Sequence, residues 1–335
     1  MLLTPSLRIG DKKSISVTLL ILASLLFICV RAMGSGSGSE SKDRALVLGG
    51  GGPVGEAWES GIIAGLAEKG IDLSGADLIL GTSAGAIVGA RLASRMPRTD
   101  FINAALVPSA GPPPGQPDQA SLDPPPDLTF LALKLQEMDS GKRSKQSIRA
   151  EIGEWAQKVR PVVSESQFVA SYQRRFPEKE WPSRRYECVS VEAADGSLRV
   201  WNGSSGAPLD VAVASSCALP GVFAPVTING HRYMDGGVRS VTNVDLARGC
   251  KTALVLVPTL GPDDALAKSF THPLSGELRT LRESRCKVQL IVPDAASLKA
   301  FGATLGDENH RAPAFNAGLA EGRNKSGEIA KFWTN

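Results

Sequence analysis

Cysteine and histidine are both scarce in this sequence of 335 residues, which contains five cysteines and three histidines. No two cysteines have the spacing of metal ligands, and their odd number argues against a framework of disulfide bonds. A strong charge bias is missing as well, because 37 Lys and Arg residues face 34 Asp and Glu residues, a formal net charge of +3. That charge is too balanced for a typical nucleic-acid-binding protein. We therefore expect no nucleic-acid partner and no bound metal, and the 42% of hydrophobic and 21% of charged residues indicate an ordinary globular protein.

Glycine, in contrast, forms a dense run early in the chain, where residues 49–55 read GGGGPVG. The apolar residues 45–48 before this run predict a buried strand. Apolar side chains then recur at a spacing of four over residues 54–66, which predicts a helix, and residues 77–80 predict a second strand. Strand, helix and strand within about forty residues indicate a parallel α/β unit, whose glycine loop lies at the carboxyl edge where ligands bind.

The glycine run by itself fits more than one kind of binding loop. From Gly50 it also satisfies the pattern G-x-G-x-x-G of dinucleotide-binding proteins. Such proteins place an acidic residue at the end of the second strand for the ribose, whereas this sequence has Gly81, Thr82 and Ser83 there. The phosphate-binding pattern G-x-x-x-x-G-K-[ST] fails too, since neither Lys nor Ser or Thr follows Gly55 in that register. We therefore expect no nucleotide cofactor.

The serine at the end of the second predicted strand indicates nucleophilic catalysis instead. Residues 81–85 read GTSAG and fit G-x-S-x-G, a sharp strand-to-helix turn that projects a serine oxygen above the sheet. Residues 84–93 are almost uniformly apolar and predict a buried helix whose amino end faces Ser83. This turn, called a nucleophile elbow, would consist of the residues around the serine, namely Gly81, Thr82, Ala84 and Gly85. The alternative is a structural serine between two glycines that allow helices to pack closely.

A nucleophilic serine needs a base, for which histidine is the usual residue. His231 lies in a hairpin predicted at residues 226–233, and His272 and His310 lie in polar, loop-like stretches. No neighbouring residue would orient any of them as a catalytic triad requires, so surface or structural roles are favoured for all three.

Asp235 has better surroundings for a catalytic base. Gly236 and Gly237 follow it and let a neighbouring backbone approach closely. A partly desolvated carboxylate held against the hydroxyl of Ser83 could accept its proton directly. Taken alone, however, an Asp-Gly pair is more typical of a hairpin turn.

The glycine run, GTSAG and the motif MDGG at residues 234–237 occur in an order and at separations that resemble the patatin-like phospholipases. Residues 214–238 also resemble that family's approach to its catalytic aspartate, and the likeness spans about residues 45–257. The resemblance implies an α/β fold with a three-layer α/β/α patatin-like sheet, mostly parallel, and a helical insertion between the nucleophile and base strands. It also implies that Ser83 is the nucleophile and Asp235 the base of a Ser-Asp dyad.

The resemblance further implies that backbone amides of the glycine run form an oxyanion loop. The residues implied in oxyanion stabilisation or substrate binding are Gly50, Gly51, Gly52, Pro53, Val54 and Gly55. Many family members carry Arg or Lys within this motif, whereas Pro53 and Val54 occupy that stretch here. Charge assistance to the oxyanion would therefore rest on backbone dipoles and on the amino end of the following helix.

By this resemblance we expect a serine acyl hydrolase of the phospholipase, lysophospholipase or lipid esterase type, which acts in lipid catabolism without a cofactor. Its partners would be a lipid or acyl-ester substrate and a membrane surface, and no pattern predicts an oligomeric state. Two alternatives remain open. One is a transacylase with the same dyad, and the other is a non-catalytic lipid-binding module if Pro53 disturbs the oxyanion loop.

Four segments are predicted along the chain: a basic one at residues 1–13, an apolar one at 14–33, a Gly/Ser linker at 34–43 and the acyl hydrolase domain at 44–335. The uncharged apolar run within the second segment, residues 14–30, is slightly short of the ~20 residues that cross a bilayer but longer than the usual core of a signal peptide. We favour a single membrane anchor over two other interpretations. These are a signal peptide cleaved after Ala32 and a cytoplasmic enzyme whose synthesis begins at Met33.

A Pro-rich loop and a helical insertion are predicted at residues 97–185. Residues 107–127 are rich in proline, and residues 128–138 and 148–159 predict two helices that could line an acyl groove or act as a lid. A surface insertion packed for stability is an equally open interpretation. Further strands are predicted at residues 186–191, 198–201, 252–257 and 287–292, with helices near 209–214 and 312–331.

Overall fold

An eight-stranded sheet forms the centre of the protein in a computed structural model that describes residues 43–107, 127–261 and 273–333. The strands are β1 (Arg44–Leu48), β2 (Leu78–Thr82), β3 (Tyr186–Glu192), β4 (Leu198–Trp201), β5 (Val226–Ile228), β6 (His231–Asp235), β7 (Thr252–Leu256) and β8 (Lys287–Ile291). Their order is β5-β6-β3-β2-β1-β7-β8, and β4 pairs with β3 beside this path. The pairs among β1, β2, β3, β7 and β8 are parallel, whereas β4, β5 and β6 pair antiparallel. The prediction of a mostly parallel sheet is confirmed.

Helices join the strands and cover the sheet. In the described residues they are α1 (Gly52–Glu68), α2 (Ala84–Ala93), α3 (Arg98–Leu106), α4 (Thr129–Asp139), α5 (Lys145–Ala156), α6 (Glu165–Arg175), α7 (Leu209–Ser216), α8 (Leu274–Glu283), α9 (Ala295–Phe301) and α10 (Arg311–Trp333). Short 3-10 turns at Gly236–Val238 and Val244–Ala247 lie between β6 and β7. The predicted helices after the glycine run and after GTSAG correspond to α1 and α2.

Both faces of the sheet are covered, because alternate residues of each central strand enter different cores. In β1, Leu46 and Leu48 belong to a core shared with α1, α2 and α10, whereas Ala45 and Val47 belong to a core shared with α8. All four side chains are fully buried. Each fully buried aliphatic side chain of the size of Val or Leu contributes about 1.5–3 kcal/mol through the hydrophobic effect. The arrangement is the expected three-layer α/β/α fold.

Helix α10 lies directly along α1, and glycines make this close approach possible. A Cβ atom on Gly61 would lie 2.2 Å from the carbonyl oxygen of Phe315, and one on Gly318 would lie 2.4 Å from that of Trp58. These distances leave no room for a methyl group. The packing fixes the position of α1, which begins within the glycine run.

The insertion between α2 and β3 contains α3, α4, α5 and α6 in its described part. Helices α4 and α5 correspond to the two predicted ones, and their buried side chains pack against Val191 of β3 and Met234 of β6. The insertion therefore touches the strand that carries Asp235, but a role as lid or acyl groove stays a prediction. Most of the Pro-rich loop predicted at residues 107–127 lies outside the described residues.

The apolar segment predicted at residues 14–33 also lies outside the described residues. Within residues 43–107, 127–261 and 273–333, no helix has both the length and the apolar character needed to span a bilayer. The predicted membrane anchor, like its two alternatives, therefore stays a prediction.

Candidate active site

Strands β2 and β6 meet end to end along one edge of β3. Thr82, the last residue of β2, is paired with Val189, and Asp235, the last residue of β6, is paired with the next residue, Ser190. Strand β4 pairs with β3 across both positions, so β2 and β6 must share the opposite edge. Because β2 is parallel and β6 antiparallel to β3, both strands run toward this point and end there. The sheet therefore brings Ser83, which follows Thr82, next to Asp235.

Ser83 has a strained backbone at the start of α2. Its dihedral angles are φ 54° and ψ −119°, a region that residues other than glycine rarely adopt. The glycines on either side make the turn possible, since a Cβ on Gly81 would lie 2.5 Å from the Gly85 carbonyl oxygen. A Cβ on Gly85 would lie 2.2 Å from the Leu48 carbonyl oxygen. Such strain costs about 1–3 kcal/mol and is common at functional sites.

Asp235 is a buried carboxyl group, only 4% exposed, at the end of β6. Burial raises its pKa to about 7, although hydrogen bonds with the Gly237 amide and the Ser83 side chain oppose the rise. The Gly237 N–H donates to Asp235 Oδ1 over 2.7 Å. Gly236 allows the turn to approach β3, because a Cβ there would lie 2.3 Å from the Val189 carbonyl oxygen. The Ser83 side chain is therefore close enough to the Asp235 carboxyl group to lower its pKa.

The histidines that the structure describes lie elsewhere. His231 Nδ1 is 2.7 Å from Glu192 Oε1, on a side chain that is 60% exposed. It begins β6, so four residues of strand, about 13 Å at roughly 3.3 Å each, separate it from Asp235. His310 Nδ1 is 2.8 Å from the Ala300 carbonyl oxygen. Neither side chain hydrogen-bonds Ser83, and the third histidine lies outside the described residues.

The glycine run lies against Ser83, and within the described residues some of its amides have no acceptor. Gly50 lies against Ser83, since a Cβ on it would be 3.3 Å from the Ser83 Cβ. The Gly50 N–H donates to the Val241 carbonyl oxygen over 2.8 Å. This amide thus already has an acceptor, and the donor role that the resemblance implies for Gly50 stays a prediction.

The remaining donors of the loop are Gly51 and Gly52, at the amino end of α1. Pro53 has no N–H, the Val54 N–H donates to the Leu305 carbonyl oxygen over 3.3 Å, and the Gly55 N–H donates to the Gly51 carbonyl oxygen over 2.8 Å. Within the described part of the chain, the amides of Gly51 and Gly52 donate to no acceptor. Gly51 is the N-cap of α1, so its amide and that of the exposed Gly52 lie at the positive end of the helix dipole.

Two residues at the end of α7 hold the backbone of Ser83. The Ser83 N–H donates to Ser216 Oγ over 3.0 Å, and that hydroxyl donates to the Val189 carbonyl oxygen over 2.6 Å. Cys217 Sγ donates to the Ser83 carbonyl oxygen at 3.1 Å. Burial and the nearby Asp235 raise the pKa of the Cys217 thiol well above its usual value, so the thiol stays protonated and serves as a donor. Both residues lie within the segment 214–238 that carries the family resemblance, but no local pattern indicated this role.

A buried carboxyl group on α1 accepts a hydrogen bond from the first residue of the glycine run. Glu59 Oε1 accepts the Gly49 N–H over 2.8 Å, and the residue is fully buried. Burial raises the pKa of Glu59 well above its usual value. The raised pKa favours the neutral form of Glu59, which suits a carboxyl oxygen, Oε2, that has no partner in the described residues.

An ion cluster fixes α1 against its neighbours immediately after the glycine run. Glu56 Oε1 is 2.7 Å from Arg91 of α2, and Glu56 Oε2 is 2.8 Å from Arg311 of α10 and 3.6 Å from Arg175 of α6. Burial alone would raise the pKa of Glu56, but the three arginines lower it to about 2. The ionised carboxylate thereby ties the helix that begins in the glycine run to the helix that follows Ser83.

No group of three or more His, Cys, Asp or Glu side chains in residues 43–107, 127–261 and 273–333 is arranged to hold a metal ion.

The family model described as patatin-like phospholipase matches residues 46–248 of this chain. Two uncharacterized NTE family proteins, one from Mycobacterium bovis and one from Mycobacterium tuberculosis, are each 29% identical to it over 229 residues. Each match covers 68% of this chain and 52% of the relative. The chain therefore spans about half the length of the curated relatives it matches.

Two solved structures are similar to this chain. VipD from Legionella pneumophila is 14% identical, with a TM-score of 0.41, over 86% of this chain and 67% of its own. The type III effector protein ExoU is 17% identical, with a TM-score of 0.38, over 86% of this chain and 53% of its own.

Proposed function

The chain belongs to the patatin-like phospholipase family, and from this premise we propose that it is a serine acyl hydrolase that cleaves acyl esters of phospholipids or lysophospholipids. Ser83 is the proposed nucleophile and Asp235 the proposed general base. One observation carries the proposal, namely that a strained serine at a strand end lies beside a buried carboxyl group whose pKa is raised to about 7. A base with a pKa near the working pH is well matched to proton transfer from a hydroxyl group.

In the first step, Ser83 Oγ attacks the carbonyl carbon of the ester and its proton passes to Asp235. The electron pair of the C=O bond moves onto oxygen, and the Gly51 and Gly52 amides at the start of α1 stabilise that charge. The tetrahedral intermediate then collapses. The bond to the alkoxy oxygen breaks, Asp235 returns the proton to the leaving alcohol, and the acyl group stays on Ser83.

In the second step, water attacks the acyl-serine ester while Asp235 accepts one of its protons. The same pair of amides stabilises the second oxyanion. Collapse of this intermediate returns the proton to Ser83 and releases the carboxylic acid. Because the Gly50 N–H donates to the Val241 carbonyl oxygen, the proposed stabilisation of the oxyanion rests on the amides of Gly51 and Gly52. Loss of either amide should therefore raise the barrier markedly. Removal of one such donor typically costs about 2.7–4 kcal/mol in the barrier.

We propose a lipid substrate because the chain belongs to a family of phospholipases. The position of the site also suits an enzyme that acts at a lipid surface. Gly52 is exposed and Ser83 partly exposed, so the site opens to the surface at the carboxyl edge of the sheet. We further propose that residues 14–33 anchor the protein to a membrane. Removal of residues 1–40 would then lower turnover of vesicle lipids while turnover of a soluble ester stays unchanged.

The experiment is an assay of the purified protein against soluble esters and phospholipid vesicles, beside Ser83→Ala and Asp235→Asn. We expect Ser83→Ala to lose at least about a thousandfold in kcat, and Asp235→Asn at least about a hundredfold. Matched controls are Ser94→Ala at the end of α2 and Asp294→Asn, a helix cap that, like Asp235, accepts a backbone N–H. Free fatty acid should be the product. Undiminished turnover in Ser83→Ala would contradict the proposal, as would acyl transfer to added glycerol in place of hydrolysis.

A further inference from the structure

One short segment contacts all three parts of the candidate site. Residues 239–243, here called the clamp loop, follow the 3-10 turn Gly236–Val238 and precede the turn Val244–Ala247. The loop reaches the end of β2, the turn after Asp235 and the glycine run. None of its side chains takes part in the mechanism above.

Asn243 makes the contacts to the nucleophile and base segments. Its side chain is fully buried, and Nδ2 lies 3.1 Å from Thr82 Oγ1 and 3.3 Å from the Gly236 carbonyl oxygen. Thr82 immediately precedes Ser83, and Gly236 immediately follows Asp235. A third acceptor, the Ser240 carbonyl oxygen, lies 2.7 Å from the same nitrogen. One amide group thus joins the two strand ends that deliver the dyad.

The rest of the clamp loop holds the glycine run and is itself anchored. The Val241 carbonyl oxygen accepts the Gly50 N–H over 2.8 Å. Behind the loop, Ser240 Oγ donates to Glu277 Oε2 over 2.7 Å, and Arg239 Nη1 donates to Asn243 Oδ1 over 2.6 Å. These bonds orient the Asn243 amide, because Oδ1 is committed to Arg239 and Nδ2 must then face Thr82 and Gly236.

We propose that Asn243 is a positioning residue that sets the separation of Ser83 Oγ and the Asp235 carboxyl group. The inference rests on the proposed function of that pair. Asn243 touches no reacting atom in the proposed mechanism, so its removal lowers kcat and leaves KM nearly unchanged. A misplacement of about 1 Å in a catalytic group can cost about a hundredfold in rate.

The backbone of Asn243 allows a clean test. Its φ of 50° lies in the left-handed region, which glycine adopts without strain, so Asn243→Gly removes the amide while the backbone keeps its conformation. Asn229 in the turn between β5 and β6 has a φ of 51° and is exposed, so Asn229→Gly is the matched control. Asn243→Asp is a second variant, which keeps the shape and the acceptor for Arg239 but loses the donors.

We expect kcat to fall about 10- to 100-fold in Asn243→Gly and Asn243→Asp, with KM within about threefold of wild type, and no change in Asn229→Gly. Hydrogen exchange supplies a readout that does not depend on turnover. Exchange should rise in peptides covering residues 78–85 and 233–240 of both Asn243 variants. Unchanged kcat, or unchanged exchange in both peptides, would overturn the inference. A wild-type protein without Ser83-dependent turnover would refute the proposed function, and the exchange data would still decide the role of Asn243.

Discussion

The pKa of Asp235 predicts a specific pH dependence of stability. The carboxyl titrates near 3.8 in an unfolded chain and at about 7 in the fold, because burial disfavours its charged form. A carboxyl whose pKa is raised by folding stabilises the protein below its unfolded pKa, and this contribution is lost as pH rises through the folded value. At 1.36 kcal/mol for each pH unit, a rise from 3.8 to about 7 corresponds to about 4 kcal/mol.

Asp235→Asn removes this titration while it keeps an acceptor for the Gly237 amide. Unfolding by urea at several pH values, followed by tryptophan fluorescence, gives the free energy of unfolding of both proteins. The stability of the variant relative to wild type should increase by roughly 2.5 kcal/mol between about pH 5 and about pH 8, the part of the full change that falls in this window.

Other buried carboxyl groups do not disturb this comparison. Glu277, whose pKa is also raised to about 7, titrates in both proteins and cancels in the difference. Glu277→Gln, combined with Asp235→Asn, is the control for that cancellation. A stability difference between variant and wild type that stays constant from about pH 5 to about pH 8 would refute the buried, charge-disfavouring environment of Asp235.

Two further predictions concern the frame of the site. Gly85→Ala should lower the free energy of unfolding by at least about 3 kcal/mol, because its Cβ would lie 2.2 Å from the Leu48 carbonyl oxygen. The control is Gly276→Ala, which should have a melting temperature no lower than that of wild type, because no atom lies within 4 Å of the added Cβ. Equal melting temperatures of the Gly85→Ala and Gly276→Ala variants would refute the predicted clash at Gly85. Glu59→Gln should keep kcat within about threefold of wild type, since a neutral amide oxygen can accept the Gly49 N–H as a protonated carboxyl does. A loss of more than about tenfold in Glu59→Gln would show that Glu59 works as a charge.

The strand ends that carry the candidate site could be predicted from the sequence because local patterns define them. A short apolar run followed by glycines predicts β1 and its loop, and a second run followed by GTSAG predicts β2 and Ser83. Parallel pairing then places both loops at one edge of the sheet. The location of Ser83 thus follows from a few neighbouring residues.

The hydrogen bonds that complete the site could not be predicted, because their partners are far apart in the chain. Gly50 donates to Val241, and the Ser83 amide donates to Ser216. Apolar periodicity reports which side of a strand is buried but not which carbonyl oxygen faces a given amide. The family resemblance therefore implied three donors in the glycine run, whereas within the described residues the Gly50 amide has an acceptor and those of Gly51 and Gly52 have none.

Part of the insertion was missed for a different reason, namely a weak apolar signal. Helix α3 buries only Phe101 and Ala105, and α6 buries only Phe168 and Tyr172. Two buried side chains in such a short helix give little periodicity to recognise. Helices α4 and α5 bury three and four residues respectively, and their positions were predicted.

The central claim is that Asp235, in its ionised form, activates Ser83. Reaction with a fluorophosphonate tests it directly, because this reagent reports the nucleophile whatever the natural substrate is. Intact-mass measurement and peptide mapping should find one adduct on Ser83, formed at a rate that is half-maximal near the Asp235 pKa of about 7 and constant above it. Asp235→Asn should react far more slowly at every pH. An adduct on another residue, or a wild-type rate that does not change with pH, would contradict the account.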